Sequence, residues 1–226
     1  MSLDAERVDT ITFDSFTTLV DVRGSTRRVL ERYLDDPEPV ATLWRFRAVD
    51  YRMVATFVDD YATYYETTEQ ALRYALAAND VHLSEDEIDD IVSVFLDLDP
   101  FDDVRSSMES LAAAGYDLYV LSNGNPAVLE AMVEACDIDD LLIDTISADE
   151  IQAYKPDARI YEHAAERTAT PIGRIAHVAT PWYDIYGAMY AGMQGVWVNR
   201  TGAPWDTFDG EPDLTVPDMA SLSAHF

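Results

Sequence analysis

The chain has 226 residues, 48% of them apolar, which is enough for one sizeable core with a small insertion. Its 15 Lys and Arg residues stand against 43 Asp and Glu residues, and this net charge of −28 disfavours nucleic acid and anionic membranes as partners. An acidic, lysine-poor and well-patterned chain is typical of a protein that works in high salt, where self-repulsion is screened.

The chain has a single cysteine, Cys136, which excludes an internal disulfide and is expected to be a buried small residue. The first residues lack the basic and apolar regions of a signal peptide. No apolar run approaches the ~18 residues of a membrane span. We therefore expect a cytoplasmic protein.

The first predicted strand ends at a carboxylate. Val8, Ile11 and Phe13 have the spacing of a buried strand, and Asp14 follows them directly. Ligands bind at this edge of open α/β sheets, and a carboxylate followed by small hydroxylated residues suits a nucleophile. Alternatively, Asp14 only caps a turn.

Residues 24–101 are predicted to be helical throughout. A break is predicted at 35–39, and Ser84 with Glu87 fits a capping box. Apolar residues recur at helical spacing in the first long segment, at Leu43, Phe46, Val49, Met53 and Phe57. We expect residues 23–99 to form a helical cap domain, and residues 1–22 and 100–226 to form the core domain.

From residue 100, predicted helices alternate with predicted strands. The strands cover residues 117–121, 142–147, 174–179 and, as the last strand, 195–199, with helices at 102–114, from 126, at 157–167 and after 184. This alternation predicts an α/β fold with a Rossmann-like, doubly wound, mostly parallel sheet.

Polar residues follow the predicted strands at Asp14, Ser122, Asn123, Lys155 and Asp184. The ends of parallel strands lie on one edge of a sheet, so these groups should converge. A lysine there can neutralise a carboxylate or bind an anion. Each residue alone has a plainer interpretation as a turn, a solvated loop or a helix cap. Their common position after strands favours a functional site.

The order of these motifs resembles that of the haloacid dehalogenase superfamily. The matching segments are residues 13–19, 121–124, 154–157 and the closing Asp184, and the likeness runs from about residue 8 to 226. The chain is most similar to the L-2-haloacid dehalogenases, with further support from Leu43-Trp44-Arg45 and from residues 71–73, 99–101 and 197–202.

This resemblance implies a reaction and roles for individual residues. Asp14 would attack C2 of a small (S)-2-haloacid, giving an ester with inversion and finally an (R)-2-hydroxyacid. Arg45 and Asn123 would receive the halide. Ser122 and Lys155 would hold the substrate carboxylate and orient Asp14.

The remaining roles concern the surroundings of the reacting atoms. Thr18 would position the nucleophile, Tyr161 would shape the polar site, and Asp184 would help water attack the ester. Four residues would line an apolar pocket, although an ordinary core place is the plainer interpretation for most of them: Phe16, Val49, Tyr64 and Tyr183.

The resemblance also implies that no metal and no cofactor is needed. Phe16 occupies the place of the second Asp of the superfamily's phosphatases, and an aromatic ring cannot serve Mg²⁺. The implied partner is the 2-halocarboxylate substrate. The resemblance to the family further implies a homodimer.

The chain departs from the family pattern at two positions. Thr17 replaces a glycine that tolerates unusual φ, and Pro181 replaces a polar Asn or His. His177 lies inside a predicted strand and is expected to be a packed core histidine rather than a catalyst. The alternatives to a dehalogenase are a Mg²⁺-dependent phosphatase of the same fold and a non-catalytic relative that binds small acids or a protein.

Overall fold

The computed structural model describes residues 2–207 and 209–226. Within them, six strands form one sheet in which every neighbouring pair is parallel, in the order β3-β2-β1-β4-β5-β6. The strands are β1 Thr10–Phe13, β2 Asp117–Ser122, β3 Asp144–Ser147, β4 Ile175–Ala179, β5 Gln194–Val198 and β6 Leu214–Val216.

Five α-helices lie between β1 and β2, and the first four of them precede the alternating part of the chain. These four are α1 Val22–Leu30, α2 Glu38–Val58, α3 Tyr64–Ala78 and α4 Glu85–Ser93. The helices of the alternating part are α5 Val104–Ala114, α6 Pro126–Cys136, α7 Ala158–Thr168 and α8 Trp182–Ala191. The α/β class and the doubly wound parallel sheet predicted from the sequence are confirmed.

The chain reverses its direction of winding at β1. All four β1 residues are buried, and Phe13 is in register with Val120 of β2 on one side and Val178 of β4 on the other. The crevice outside the carboxyl end of such a central strand is where open α/β sheets bind ligands. Asp14 is the first residue beyond that end.

One strand was not anticipated from the sequence. We expected residues 195–199 to form the last strand, which was wrong because β6 pairs with β5 at the edge of the sheet. β6 has only three residues, so its alternation is too short to distinguish from a loop.

The apolar pattern of α2 does not mark its buried face. The buried residues of this helix are Val40, Ala41, Trp44, Ala48 and Arg52. By contrast, two members of the predicted apolar stripe are open to solvent, Phe46 with 69% and Phe57 with 88% of its surface exposed.

Local signals set two helix ends, the first of them as predicted. Ser84 and Glu87 form a capping box at the start of α4, and Gly115 closes α5 in the left-handed conformation. Cys136 is free and buried, as expected. Among the described residues, no helix is both long enough and apolar enough to cross a membrane.

Candidate active site

Asp14 is held at both carboxylate oxygens. Thr18 donates its hydroxyl to Oδ2 at 2.8 Å, and the Lys155 ammonium donates to Oδ1 at 2.7 Å. The Thr18 hydroxyl in turn accepts the backbone N–H of Thr180 at 2.9 Å, which links the β1 loop to the end of β4. The carboxylate is therefore fixed in one orientation, while each oxygen keeps a further lone pair for reaction.

Lys155 lies between two carboxylates. Its Nζ is 2.7 Å from Asp14 Oδ1 and 2.6 Å from Asp184 Oδ2, and it also donates to the carbonyl of Leu121 at 2.9 Å. The three donors of a buried ammonium are thus all satisfied. Burial would lower the pKa of Lys155, but the two carboxylates outweigh it and raise this pKa.

Asp184 stands in the first turn of α8 and is held at both oxygens. Tyr161 donates its hydroxyl to Oδ1 at 2.7 Å, and His177 Nε2 lies 3.0 Å from the same oxygen. Although burial alone would raise the pKa of Asp184, Lys155 and His177 hold it below its usual range. Asp184 therefore keeps its negative charge at any ordinary pH.

The pKa of Asp14 is raised, whereas that of Asp184 is lowered. Burial raises it, the neighbouring charge of Asp184 adds to the rise, and Lys155 and Thr18 only partly oppose it. Of the two acids, Asp14 is consequently the more easily protonated and Asp184 the more firmly ionised.

Ser122 and Asn123 lie beside this cluster at the end of β2. The Ser122 hydroxyl is 2.6 Å from the Ser15 hydroxyl and accepts the N–H of Gly124 at 2.9 Å. The Asn123 side-chain oxygen accepts the backbone N–H of Lys155 at 2.8 Å. Both residues thus position the loops that carry Asp14 and Lys155.

A small cavity of about 110 Å³ lies between the first loop and the helices α1–α3. Phe16 and Tyr64, two of its lining residues, stack with ring centroids 4.4 Å apart. Its wall further includes Thr17, Val22, Thr26, Trp44, Arg45, Ala48, Val49, Arg52, Thr68, Phe95 and Tyr183. Sites for drug-sized ligands span about 300–1,000 Å³, so this cavity suits a ligand well below drug size.

Arg45 brings a positive charge to this cavity. It is half-buried, and its Nη1 has no hydrogen-bond partner within the described residues. A larger groove of about 670 Å³ lies between α6 and β3, but its wall includes Glu130, Glu134 and Asp137 and would repel an anion. The small cavity is the better site for an acid.

Thr17 and Pro181, the two positions at which the chain departs from the family pattern, differ in their effect on the backbone. Thr17 adopts φ 68°, the left-handed conformation that a β-branched residue rarely takes, and such strain costs roughly 1–3 kcal/mol. Pro181 is the N-cap of α8, where its missing N–H breaks no helical bond. Pro181 has no polar side chain that could contact Asp184. The histidine that does contact Asp184 is His177, which lies in β4.

The predicted site residues fall into three neighbouring groups. Asp14, Thr18, Lys155, Tyr161 and Asp184 share one hydrogen-bond network. Ser122 and Asn123 support its loops, as described above. The cavity wall contains the others, namely Phe16, Arg45, Val49, Tyr64 and Tyr183.

Two residues that contact the site were not predicted from the sequence to do so. His177 is a fully buried core histidine, as expected, yet it also contacts Asp184. Arg52 lies seven residues after Arg45 on α2 and lines the same cavity. The seven-residue spacing, two turns of a helix, is the signal that would have indicated Arg52.

Asp14 and Asp184 are separated by a cation. Within the described ranges no group of three or more His, Cys, Asp or Glu side chains is placed to hold a metal ion. The Lys155 ammonium occupies the position between the two carboxylates.

Comparison with known proteins shows the family to which the chain belongs. Residues 8–179 match the family model of the haloacid dehalogenase-like hydrolases. The chain is 32% identical to (S)-2-haloacid dehalogenase 4A of Burkholderia cepacia, over 85% of this chain and 83% of that protein. It is 30% identical to the (S)-2-haloacid dehalogenase of Pseudomonas sp. strain YL, over 94% and 91%.

A solved structure of an L-2-haloacid dehalogenase superimposes with a TM-score of 0.93 at 27% identity, covering 96% of this chain and 98% of the other. The chain belongs to the haloacid dehalogenase-like hydrolases. Its similar relatives in this family include several that are (S)-2-haloacid dehalogenases.

Proposed function

We propose that the protein hydrolyses small (S)-2-haloacids to (R)-2-hydroxyacids and halide through an ester on Asp14. The observation that carries this proposal is the setting of Asp14, a buried carboxylate held at both oxygens beside a small cavity that contains Arg45. The similarity to (S)-2-haloacid dehalogenases supports the choice of substrate.

In the first step, a carboxylate oxygen of Asp14 attacks C2 of the substrate. The new C–O bond forms as the carbon–halogen bond breaks, and the halide leaves with the electron pair, with inversion at C2. Arg45 receives the halide, together with Asn123. Ser122 and Lys155 hold the substrate carboxylate, and Thr18 fixes the attacking group.

In the second step, water adds to the ester carbonyl of Asp14. The bond between the carbonyl carbon of Asp14 and the substrate oxygen breaks, and this oxygen takes one proton to become the hydroxyl of the hydroxyacid. The other proton of water is released when Asp14 ionises again. Asp184 orients the water and stabilises its developing positive charge, because its low pKa makes it a weak base. Tyr161 holds Asp184 in place.

The apolar wall serves the first step. Phe16, Val49, Tyr64 and Tyr183 surround a carbon centre and limit access of water to it. The reaction as proposed needs no metal, since halide is the leaving group and Lys155 supplies positive charge between the acids. Mg²⁺ prefers near-octahedral oxygen ligands, and an ammonium there opposes its binding.

Halide release from (S)-2-chloropropanoate, beside phosphate release from a phosphomonoester with Mg²⁺, tests the proposal. We expect halide release that survives prolonged EDTA treatment. Phosphate release that depends on Mg²⁺ would favour the phosphatase alternative, and binding without turnover would favour the non-catalytic one.

A single turnover in H₂¹⁸O tests the ester. Because water attacks the carbonyl of Asp14, the label should enter this residue and not the product. Label found directly in the hydroxyacid would mean that water attacks C2, and the ester mechanism would be wrong.

Four further properties belong to the same proposal. Residues 23–99 act as a cap on the core formed by residues 1–22 and 100–226. The protein is cytoplasmic, it works at high salt, and it forms a homodimer.

The exposed Phe46 and Phe57 on α2 support the homodimer. Light scattering on the purified protein checks this state, and a monomer at micromolar concentration would contradict it.

A further inference from the structure

Nearly all basic side chains of this acidic protein are paired. Among its lysines and arginines, all of which lie in the described part of the chain, every one except Arg7, Arg45 and Arg52 lies within 4.0 Å of a carboxylate. Arg7 is exposed on the surface. The other two line the same cavity.

Arg52 is the more deeply buried of these two, with 8% of its surface exposed. Its Nε donates to the Thr67 hydroxyl at 3.2 Å, and its Nη2 donates to the Thr68 hydroxyl at 2.5 Å. Its Cζ lies 3.7 Å from the ring centroid of Tyr64. All three neighbours are uncharged, and burying a cation without a counter-charge is costly.

The contacts of Arg52 also fix its position. The guanidinium contacts the Tyr64 ring, which stacks on Phe16, and Phe16 lies two residues after the nucleophile. Two hydroxyls and one aromatic face thus hold the planar guanidinium in place without neutralising its charge. Such a group is preorganised for an anion that enters the cavity.

The proposed reaction leaves Arg52 without a role. The charge of Lys155 is shared by Asp14 and Asp184, and Arg45 is assigned to the halide. Ser122 and Lys155 are assigned to the carboxylate at C2. Arg52 is then a third positive group, separated from Arg45 by about 10 Å along the axis of α2.

Resting on the proposed function, we propose that Arg52 binds a second carboxylate on the substrate, so that the preferred substrates are short 2-halodicarboxylates. The guanidinium would meet the distal carboxylate in a paired, charge-assisted contact. The part of the cavity beside Arg52 would therefore favour a substrate chain that ends in a carboxylate over one that ends in an alkyl group.

Two substrates of matched length test this inference in the wild-type protein. (S)-2-chlorobutanedioate and (S)-2-chlorobutanoate differ only in whether the chain ends in a carboxylate or a methyl group. We expect kcat/KM for the diacid to be at least tenfold higher. Equal values, or a preference for the monoacid, would overturn the inference while leaving the dehalogenase activity intact.

The variant Arg52→Met keeps an apolar chain and removes the charge. It should lower kcat/KM for the diacid by about ten- to a hundredfold, the effect of one charge-assisted hydrogen bond, and change the monoacid value less than threefold. Arg47→Met is the matched control, because Arg47 also contacts a tyrosine ring from α2 but is paired with Asp50. An equal loss on both substrates would mean that Arg52 binds the carboxylate at C2.

A binding measurement separates this inference from the proposed reaction. Butanedioate and butanoate carry no halogen, so calorimetry with these probes on the wild-type protein needs no turnover and no variant. Tighter binding of butanedioate by tenfold or more supports the inference even if no haloacid is hydrolysed. Equal binding overturns it.

Discussion

The charges beside Asp14 and the charges in the cavity under α2 are arranged in opposite ways. At the strand ends, one ammonium is shared by two carboxylates, and every charged group has a charged partner within 3 Å. In the cavity, Arg45 and Arg52 have no carboxylate within ion-pair distance among the described residues. Both regions are largely shielded from water.

This difference separates two uses of charge. A closed set of charges mainly orients its own members, as expected for a group that holds a nucleophile. An unneutralised cation attracts an anion, as expected for a site that receives substrate or halide. Substitutions in each region can separate these two uses by experiment.

The largest effect is expected at the centre of the closed cluster. Asp14→Asn keeps the shape and leaves Lys155 paired with Asp184, so we expect a folded protein. Removing the nucleophile should lower turnover by about 10⁶-fold. Halide assays with a thermal melt as the folding control check this, and residual activity above about 1% would exclude Asp14 as the nucleophile.

A smaller effect is expected in the open cavity. Arg45→Ala removes a cation that no carboxylate neutralises, so unfolding free energy should change by about 0.5 kcal/mol at most. Halide release should nevertheless fall by about a hundredfold, because the departing anion loses its partner.

Arg23→Ala is the control for that variant, since Arg23 is an exposed arginine that is paired with Glu38 on the surface. It should leave halide release unchanged. Similar activity in the two variants would remove Arg45 from the leaving-group site.

A still smaller effect is expected for the histidine behind the cluster. His177→Phe removes one of the two groups at Asp184 Oδ1, so hydrolysis of the ester should slow by about tenfold. The first turnover should not slow, because Asp184 acts after the halide has left. Rapid-quench measurements should therefore show a burst of halide.

Tyr161→Phe removes the other group at the same oxygen and should give a similar burst. If the first turnover and the steady state slow equally in His177→Phe, the residue supports the fold and does not position Asp184.

The smallest effect concerns the surface rather than either buried region. Salt at about 1 M shortens the Debye length to about 3 Å, which screens exposed carboxylates but not the shielded ion pairs of Lys155. The melting temperature should therefore rise with KCl, by a few degrees for each kcal/mol gained. A flat melting temperature from dilute buffer to molar KCl would contradict a salt-adapted surface.

The closed cluster could be anticipated from the sequence because its parts follow from chain direction. Asp14 follows β1 directly, Ser122 ends β2, and Asp184 lies in the helix after β4, and parallel strands bring their ends to one edge. The contact of His177 with Asp184 could not be anticipated in this way. It depends on how far the side chain reaches from inside β4, which no periodicity specifies.

The cavity was less predictable than the cluster. The apolar stripe of α2 suggested one buried face, whereas the structure buries a different face that includes Arg52. Arguments from hydrophobic patterns assign arginine to the surface, so only its seven-residue spacing from Arg45 indicates Arg52. Thr17 was recognised as a departure, but only the structure shows that it adopts φ 68°.

The two unneutralised guanidiniums have a consequence for product inhibition. Chloride is both a product of the proposed reaction and the counter-ion of common salts, and it would occupy the place of the departing halide beside Arg45. The salt that screens the surface thus supplies a competitor in the cavity. Turnover should pass through a maximum as KCl increases, and replacing chloride with a bulky anion that cannot enter 110 Å³ should shift this maximum to higher salt.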